Sequence, residues 1–225
     1  AVFFDYDHDG DLDCYILNHP DNFDEVMNPF GSTDSTVFAT GEDNLMENVN
    51  GHFIDVTEKA GLKFTGGFGL SASICDVNHD GLDDIYVAND YLNSDELFVN
   101  NGNKTFTNET DKYFTQVSLF SMGSDYADIN NDGKPDLITV DMKPDNHYRT
   151  KRNLVPFTMA FYNCFLSHST PPQYIKNTLQ LATDTGKFDE VAQLLGVDKT
   201  DWSWSALIQD FDNDGWNDIH ITSGT

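Results

Sequence analysis

The stretch Asp5-Tyr6-Asp7-His8-Asp9-Gly10-Asp11-Leu12-Asp13 decides how this chain is read, because it returns three more times. The other copies are Asp76-Val77-Asn78-His79-Asp80-Gly81-Leu82-Asp83-Asp84, Asp128-Ile129-Asn130-Asn131-Asp132-Gly133-Lys134-Pro135-Asp136 and Asp210-Phe211-Asp212-Asn213-Asp214-Gly215-Trp216-Asn217-Asp218. Oxygen-bearing side chains stand at positions 1, 3, 5 and 9 of every copy, and Gly follows position 5. Such an alternation wraps hard oxygen donors around one cation, and the Gly permits the sharp turn between them. Position 7 is Asp11, Leu82, Lys134 or Trp216, as expected where only the backbone carbonyl is used. The expected cofactor is therefore Ca²⁺, about one ion per loop and about four in all.

An EF-hand requires a bidentate Glu at loop position 12 and flanking helices. Position 12 is here Ile16, Val87, Thr139 or Ile221, and each loop runs straight into a strand-like segment such as Ile85-Tyr86-Val87. Short strand-like runs also precede the loops, as in Val2-Phe3-Phe4 and Ala206-Leu207-Ile208. The loops read as metal-clipped connections between strands, and the EF-hand is excluded.

A second repeat runs in phase with the first. It contains Phe53, Phe106 and Phe188, each following an Asn/Gly- or Asp/Gly-rich turn and lying 23, 22 and 22 residues before the next acidic loop. An aromatic (Phe68, Phe120, Trp202) stands eight residues before each of those loops. A constant phase means that one supersecondary unit is repeated. The loops are spaced by 71, 52 and 82 residues. With 52 as the plain unit, insertions are expected at about 18–44 and 142–175, in the same phase of the repeat and so on one face. A strand-rich unit of this length suits a four-stranded propeller blade better than a solenoid turn.

The pattern resembles the FG-GAP/VCBS family of calcium-binding β-propellers, which includes the integrin α-subunit head. The stretches Asn48 to Leu62, Asn177 to Leu181 and Thr200 to Trp204 are most similar to the ASPIC/UnbV-associated, cartilage acidic protein-like branch. The resemblance implies an all-β fold: about four four-stranded blades of a seven-bladed propeller, with a partly helical insertion. It also implies an extracellular or cell-surface location. The whole chain, 1–225, is then one propeller segment with blade units at about 1–47, 48–99, 100–180 and 181–225. Carried over by position, the metal ligands are Asp5, Asp7, Asp9 and Asp13; Asp76, Asn78, Asp80 and Asp84; Asp128, Asn130, Asp132 and Asp136; Asp210, Asp212, Asp214 and Asp218. Backbone carbonyls of Asp11, Leu82, Lys134 and Trp216 complete the set. The ragged ends read as those of a fragment, whose partners include the remaining blades and a C-terminal domain.

Composition agrees with this reading. Acidic residues number 38 against 12 basic ones, giving a formal net charge of −26. The loop ligands supply 14 of those negative charges, and four bound Ca²⁺ ions bring the balance to about −18. Without metal the crowded carboxylates repel one another and weaken the fold. A surface this acidic argues against nucleic acid, whose phosphates need Lys and Arg. There is no long apolar run and hence no membrane span in the segment. Three cysteines cannot all pair, and Cys14 and Cys75, at strand positions, are expected to be buried free thiols.

No catalytic constellation stands out: no His pair, Cys–His metal cluster, nucleophile elbow or phosphate-cradling loop occurs. His8 and His79 occupy position 4, a non-ligand position facing water. The second insertion gathers Lys143, Arg149, Lys151, Arg152 and Lys176 with Tyr148, Phe157, Phe161, Tyr162, Phe165 and Tyr174, and a short helix is expected over 156–166. Two readings of it stand. One is a cap that binds an acidic or carbohydrate ligand by charge and ring stacking. The other is packing against neighbouring blades, with the cations neutralising nearby acidic loops. The leading expectation is a non-enzymatic extracellular module that binds or adheres to a protein or carbohydrate, with structural calcium. The alternative is a propeller-scaffold enzyme acting on polysaccharide or phosphodiester substrates. A third possibility is a structural partner for a further C-terminal module. Loops one and four carry four charged ligands and loops two and three carry three, so the latter pair is expected to empty first on chelation.

Overall fold

A computed structural model describes residues 1–19, 42–62, 67–90, 93–153 and 170–224. Most of the first expected insertion, residues 154–169 of the second, the helix expected over 156–166 and Cys164 lie outside the described residues. The chain is mostly β, and it divides into two compact units, Ala1–Asn108 and Glu109–Thr225.

The first unit holds two four-stranded antiparallel sheets, each a meander in chain order. One consists of β1 (Val2–Phe4), β2 (Asp13–Ile16), β3 (Asn44–Val49) and β4 (His52–Asp55). The other consists of β5 (Phe68–Cys75), β6 (Asp84–Asp90), β7 (Glu96–Asn100) and β8 (Phe106–Asn108). Loop one joins β1 to β2 and loop two joins β5 to β6, so both acidic loops connect paired antiparallel strands. Tyr15 and Leu45 from one sheet and Ile85, Val87 and Phe98 from the other belong to a single buried core. Tyr6 carries loop one into that core, stacking on Phe106 at 6.1 Å. Cys14 and Cys75 are buried free thiols.

The second unit opens with α1 (Thr110–Tyr113) and β9 (Val117–Ser118). Its main sheet is β10 (Gly123–Ala127), β11 (Asp136–Val140), β13 (Thr178–Ala182) and β14 (Phe188–Glu190). Helix α2 (His147–Asn153) and β12 (Gln173–Tyr174), which pairs in parallel with β9, come between β11 and β13. After α3 (Ala192–Leu195), β15 (Ser203–Gln209) and β16 (Asp218–Ser223) form a two-stranded sheet across loop four. At Gly123 the two sheets come so close that an added Cβ would stand 2.7 Å from the Trp204 carbonyl oxygen, which only glycine avoids. Beside it the Asp125 carboxylate accepts the Ile208 amide at 2.6 Å.

Two expectations are corrected by these sheets. The Phe repeat does not open a sheet: Phe53, Phe106 and Phe188 lie on the last strand of a four-stranded sheet. The sheets therefore span 2–55, 68–108 and 123–190, not units starting near 48, 100 and 181. In place of four four-stranded sheets, the described residues form three, with a two-stranded sheet around the fourth loop. Phe106 and Phe188 are buried, whereas Phe53 is 48% exposed and meets Phe3 edge-on.

A second repeated carboxylate organises the strands beyond the loops. Asp43, just before β3, accepts the Tyr15 hydroxyl at 2.9 Å and the Asn18 amide at 2.8 Å. Asp95, just before β7, accepts the Tyr86 hydroxyl at 2.6 Å and the Asn89 amide at 2.9 Å. In the third sheet Asn177 takes the acceptor's place and receives the Asp141 amide at 2.8 Å. Burial pushes Asp43 up to about 6, against the opposing pull of the Asn18 amide and the Tyr15 hydroxyl. Asp141 is likewise raised by burial to about 6, despite the Ser118 hydroxyl and the Phe120 amide. Both groups bind protons in the folded chain at a pH where the unfolded chain has lost them. Their contribution is complete below the ordinary carboxylate value and disappears as pH rises through about 6. In a chelating buffer, the melting temperature of the metal-free chain is expected to rise from pH 7.5 to pH 5.5, as calorimetry would record.

Candidate metal centres

All four acidic loops are built on the same set of hydrogen bonds. In loop one the Asp5 carboxylate accepts the amides of Asp9 at 3.1 Å and Gly10 at 3.0 Å. Asp7 accepts the Asp9 amide at 3.2 Å, and Asp9 accepts the Asp11 amide at 3.1 Å. Asp76, Asn78 and Asp80 repeat these bonds in loop two, and Asp128, Asn130 and Asp132 in loop three. Asp210, Asp212 and Asp214 do so in loop four. Each loop bends at two left-handed residues: the expected Gly and, unforeseen, position 4. His8, His79, Asn131 and Asn213 all have φ between 57° and 60°. His and Asn tolerate this region better than most residues, and that was the available signal. His8 and His79 are exposed, as expected.

Position 9, expected to supply a ligand, has a structural role of its own. The buried Asp13 accepts the Tyr6 amide at 3.1 Å on one oxygen and the Asn48 amide of β3 at 2.8 Å on the other. Asp84 does the same with Val77 at 2.9 Å and Asn100 of β7 at 2.7 Å, and Asp136 with Ile129 at 3.1 Å and Ala182 of β13 at 2.9 Å. Each carboxylate thus clamps its loop to the third strand of its sheet. Burial raises Asp84 to about 6, offset in part by its two amides, and raises Asp13 and Asp136 in the same sense. A bound dication would oppose this shift by favouring the ionised form. Asp218 is exposed and, among the described residues, accepts the Phe211 amide alone, at 3.3 Å.

The structure brings together three carboxylates in two loops. Ligand atoms of Asp5, Asp7 and Asp13 lie within 4.8 Å of one another, and so do those of Asp210, Asp212 and Asp218. Asp9 and Asp214 stand outside these trios and hold the amide of position 7 instead. In loops two and three position 3 is Asn78 or Asn130, so that place offers an amide oxygen, not a carboxylate. One oxygen of Asp11 is buried with no donor. Burial and the neighbouring Asp9, Asp7, Asp5 and Glu47 charges raise this carboxyl. A clustered, hard, anionic donor set of this kind fits a calcium-sized cation.

Neighbouring loops are also joined. In the second unit Asn131 of loop three donates to the Gly215 carbonyl at 2.8 Å, and Asn217 of loop four donates to the Asp128 carbonyl at 2.6 Å. In the first unit the Asn100 side chain, on β7, donates to the Tyr6 carbonyl of loop one at 2.9 Å.

The basic residues of the second insertion are largely engaged within their own unit. Lys143 pairs with Asp198 at 2.7 Å, Arg149 with Asp201, and Lys176 with Glu190. Arg152 bonds the Tyr148 hydroxyl at 2.9 Å and lies over its ring. These acids lie outside the acidic loops, contrary to the expectation that the cations neutralise those loops, and Tyr148 remains 67% exposed.

A family profile described as the FG-GAP-like repeat matches residues 76–139, which run from loop two through loop three into β11. No curated protein matches the chain.

Asp84→Ala removes the acceptor of two amides, one on each side of the clamp, and is expected to cost about 3 kcal/mol in denaturant unfolding without metal. Asp218→Ala, at an exposed site, is expected to cost less than about 1 kcal/mol in the same measurement.

Proposed function

We propose that this chain is a calcium-binding, β-propeller-type module whose ions hold the connections between blade strands. The observation that carries the reading is the shared loop frame, which in loops one and four gathers three carboxylates within 4.8 Å of one another and in loop one also leaves a buried oxygen of Asp11 without a donor. The match to an FG-GAP-like repeat supports a propeller-type module. The finer likeness to the ASPIC/UnbV-associated branch rests on the stretches around Asn48, Asn177 and Thr200. In this reading each sheet is a blade, Asp5, Asp76, Asp128 and Asp210 begin four sites, and about four ions bind. Position 9 serves as both clamp and ligand, so metal binding and folding are coupled.

The module is non-enzymatic in this proposal and acts outside the cell or at its surface, where millimolar calcium suits loops of this type. Its role is to bind or adhere to a protein or carbohydrate. A surface with net charge −26 favours partners that carry positive charge or present calcium-bridging oxygens.

Titration of the chelator-stripped chain with calcium, followed by calorimetry, is expected to show about four ions bound. The melting temperature should rise with free calcium, each site contributing about 2.7 kcal/mol at a hundredfold excess over its Kd. Absence of binding heat together with an unchanged melting temperature at millimolar calcium would overturn the reading.

A further inference from the structure

Loops one and four make an internal comparison. Both offer Asp at positions 1, 3, 5 and 9, and both gather their first, third and ninth carboxylates. Loop one has more negative charge around it, since Asp11 stands at position 7 where loop four has Trp216, and Glu47 lies nearby. Coulomb attraction alone therefore makes loop one the stronger of the two.

One side chain opposes that order. Lys104 lies in the turn between β7 and β8, where it adopts φ 66° and the Asn101 amide bonds the Thr105 carbonyl at 2.9 Å. From there its ammonium reaches Oδ2 of Asp7 and also Glu47 Oε1 at 2.7 Å. The Asp7 side chain is only 1% exposed, so the ammonium covers a carboxylate that faces little water. The other oxygen of Asp7 is taken by the Asp9 amide. A metal ion and an ammonium sharing Asp7 would repel each other at close range in a partly buried site. Among the described residues no ion pair reaches Asp210, Asp212, Asp214 or Asp218. In loop three Lys134 is held chiefly by Asp184 at 2.7 Å and stands 3.9 Å from Asp132.

We propose that Lys104 is a tethered counter-cation of loop one, seated on Asp7 when no ion is bound and withdrawn onto Glu47 when one binds. Loop one consequently fills after loop four despite its greater negative charge. The inference rests on the calcium reading above and adds an order of filling that ligand charge by itself reverses.

Each loop carries its own reporter, because the position-6 glycines Gly10, Gly81, Gly133 and Gly215 all donate their amides to the position-1 carboxylate. Calcium titration of the full chain labelled with ¹⁵N-glycine, followed by NMR, reads the four loops separately. Gly215 is expected to shift at lower calcium than Gly10. In Lys104→Met the Gly10 midpoint should fall by about tenfold or more, with Gly215 unchanged, because one repelled unit charge is removed. Glu47→Gln removes the site onto which the ammonium withdraws and should raise the Gly10 midpoint; opposite shifts in the two variants separate the effect from general destabilisation. A Gly10 that titrates with or before Gly215, or a Gly10 midpoint unmoved by Lys104→Met, overturns the role of Lys104 while leaving calcium binding intact. No glycine shift in any of the three proteins overturns the calcium reading, and the role of Lys104 with it.

Discussion

The structure depends above all on a buried carboxylate that bonds two backbone amides at once. Asp13, Asp84 and Asp136 each take one amide from the start of their own acidic loop and one from the third strand of their sheet. A loop that would otherwise be a solvated turn becomes part of the sheet. The cost of burying an anion is offset in part by charge-assisted hydrogen bonds, which are stronger than neutral ones. Remove the carboxylate and two buried donors lose their partner together.

With this anchor in place, the rest of each loop is geometrically determined. Position 1 caps two amides, position 3 and position 5 one each, and two left-handed residues close the bend. Protein donors thus reach each of these positions, and in loops one and four carboxylate oxygens still lie within 4.8 Å of one another. In the metal-free chain that leaves mutual repulsion, and the loops of the two units differ in what stands beside them. Loop one receives an ammonium from Lys104, whereas loops three and four are tied by the amide side chains of Asn131 and Asn217.

Asp43, Asp95 and Asn177 apply the same principle one connection further along. Each caps the amide at the far end of the second strand, and in two of three sheets a tyrosine hydroxyl completes the arrangement. Where the third sheet has Ile138 at the tyrosine's place, the acceptor is an amide and the nearby acid is Asp141, which turns to Ser118. The Asp-x-Leu pattern at 43–45 and 95–97 carried this signal, but it was hidden among 38 acidic residues.

The sequence by itself determined the loops, their glycines and the strands on either side. These features are local, because residue types at fixed spacing dictate the turn. The dual duty of position 9, the left-handed position 4 and the phase of the sheets relative to the Phe repeat were decided only in three dimensions. Each depends on a partner 16 to 46 residues away or on a backbone angle that residue identity only biases. The tertiary structure alone also placed Lys104, 97 positions beyond Asp7 in the chain, against that carboxylate. Spacing along the chain reveals which oxygens can meet an ion, but the cation already beside them is a matter of how the two sheets pack.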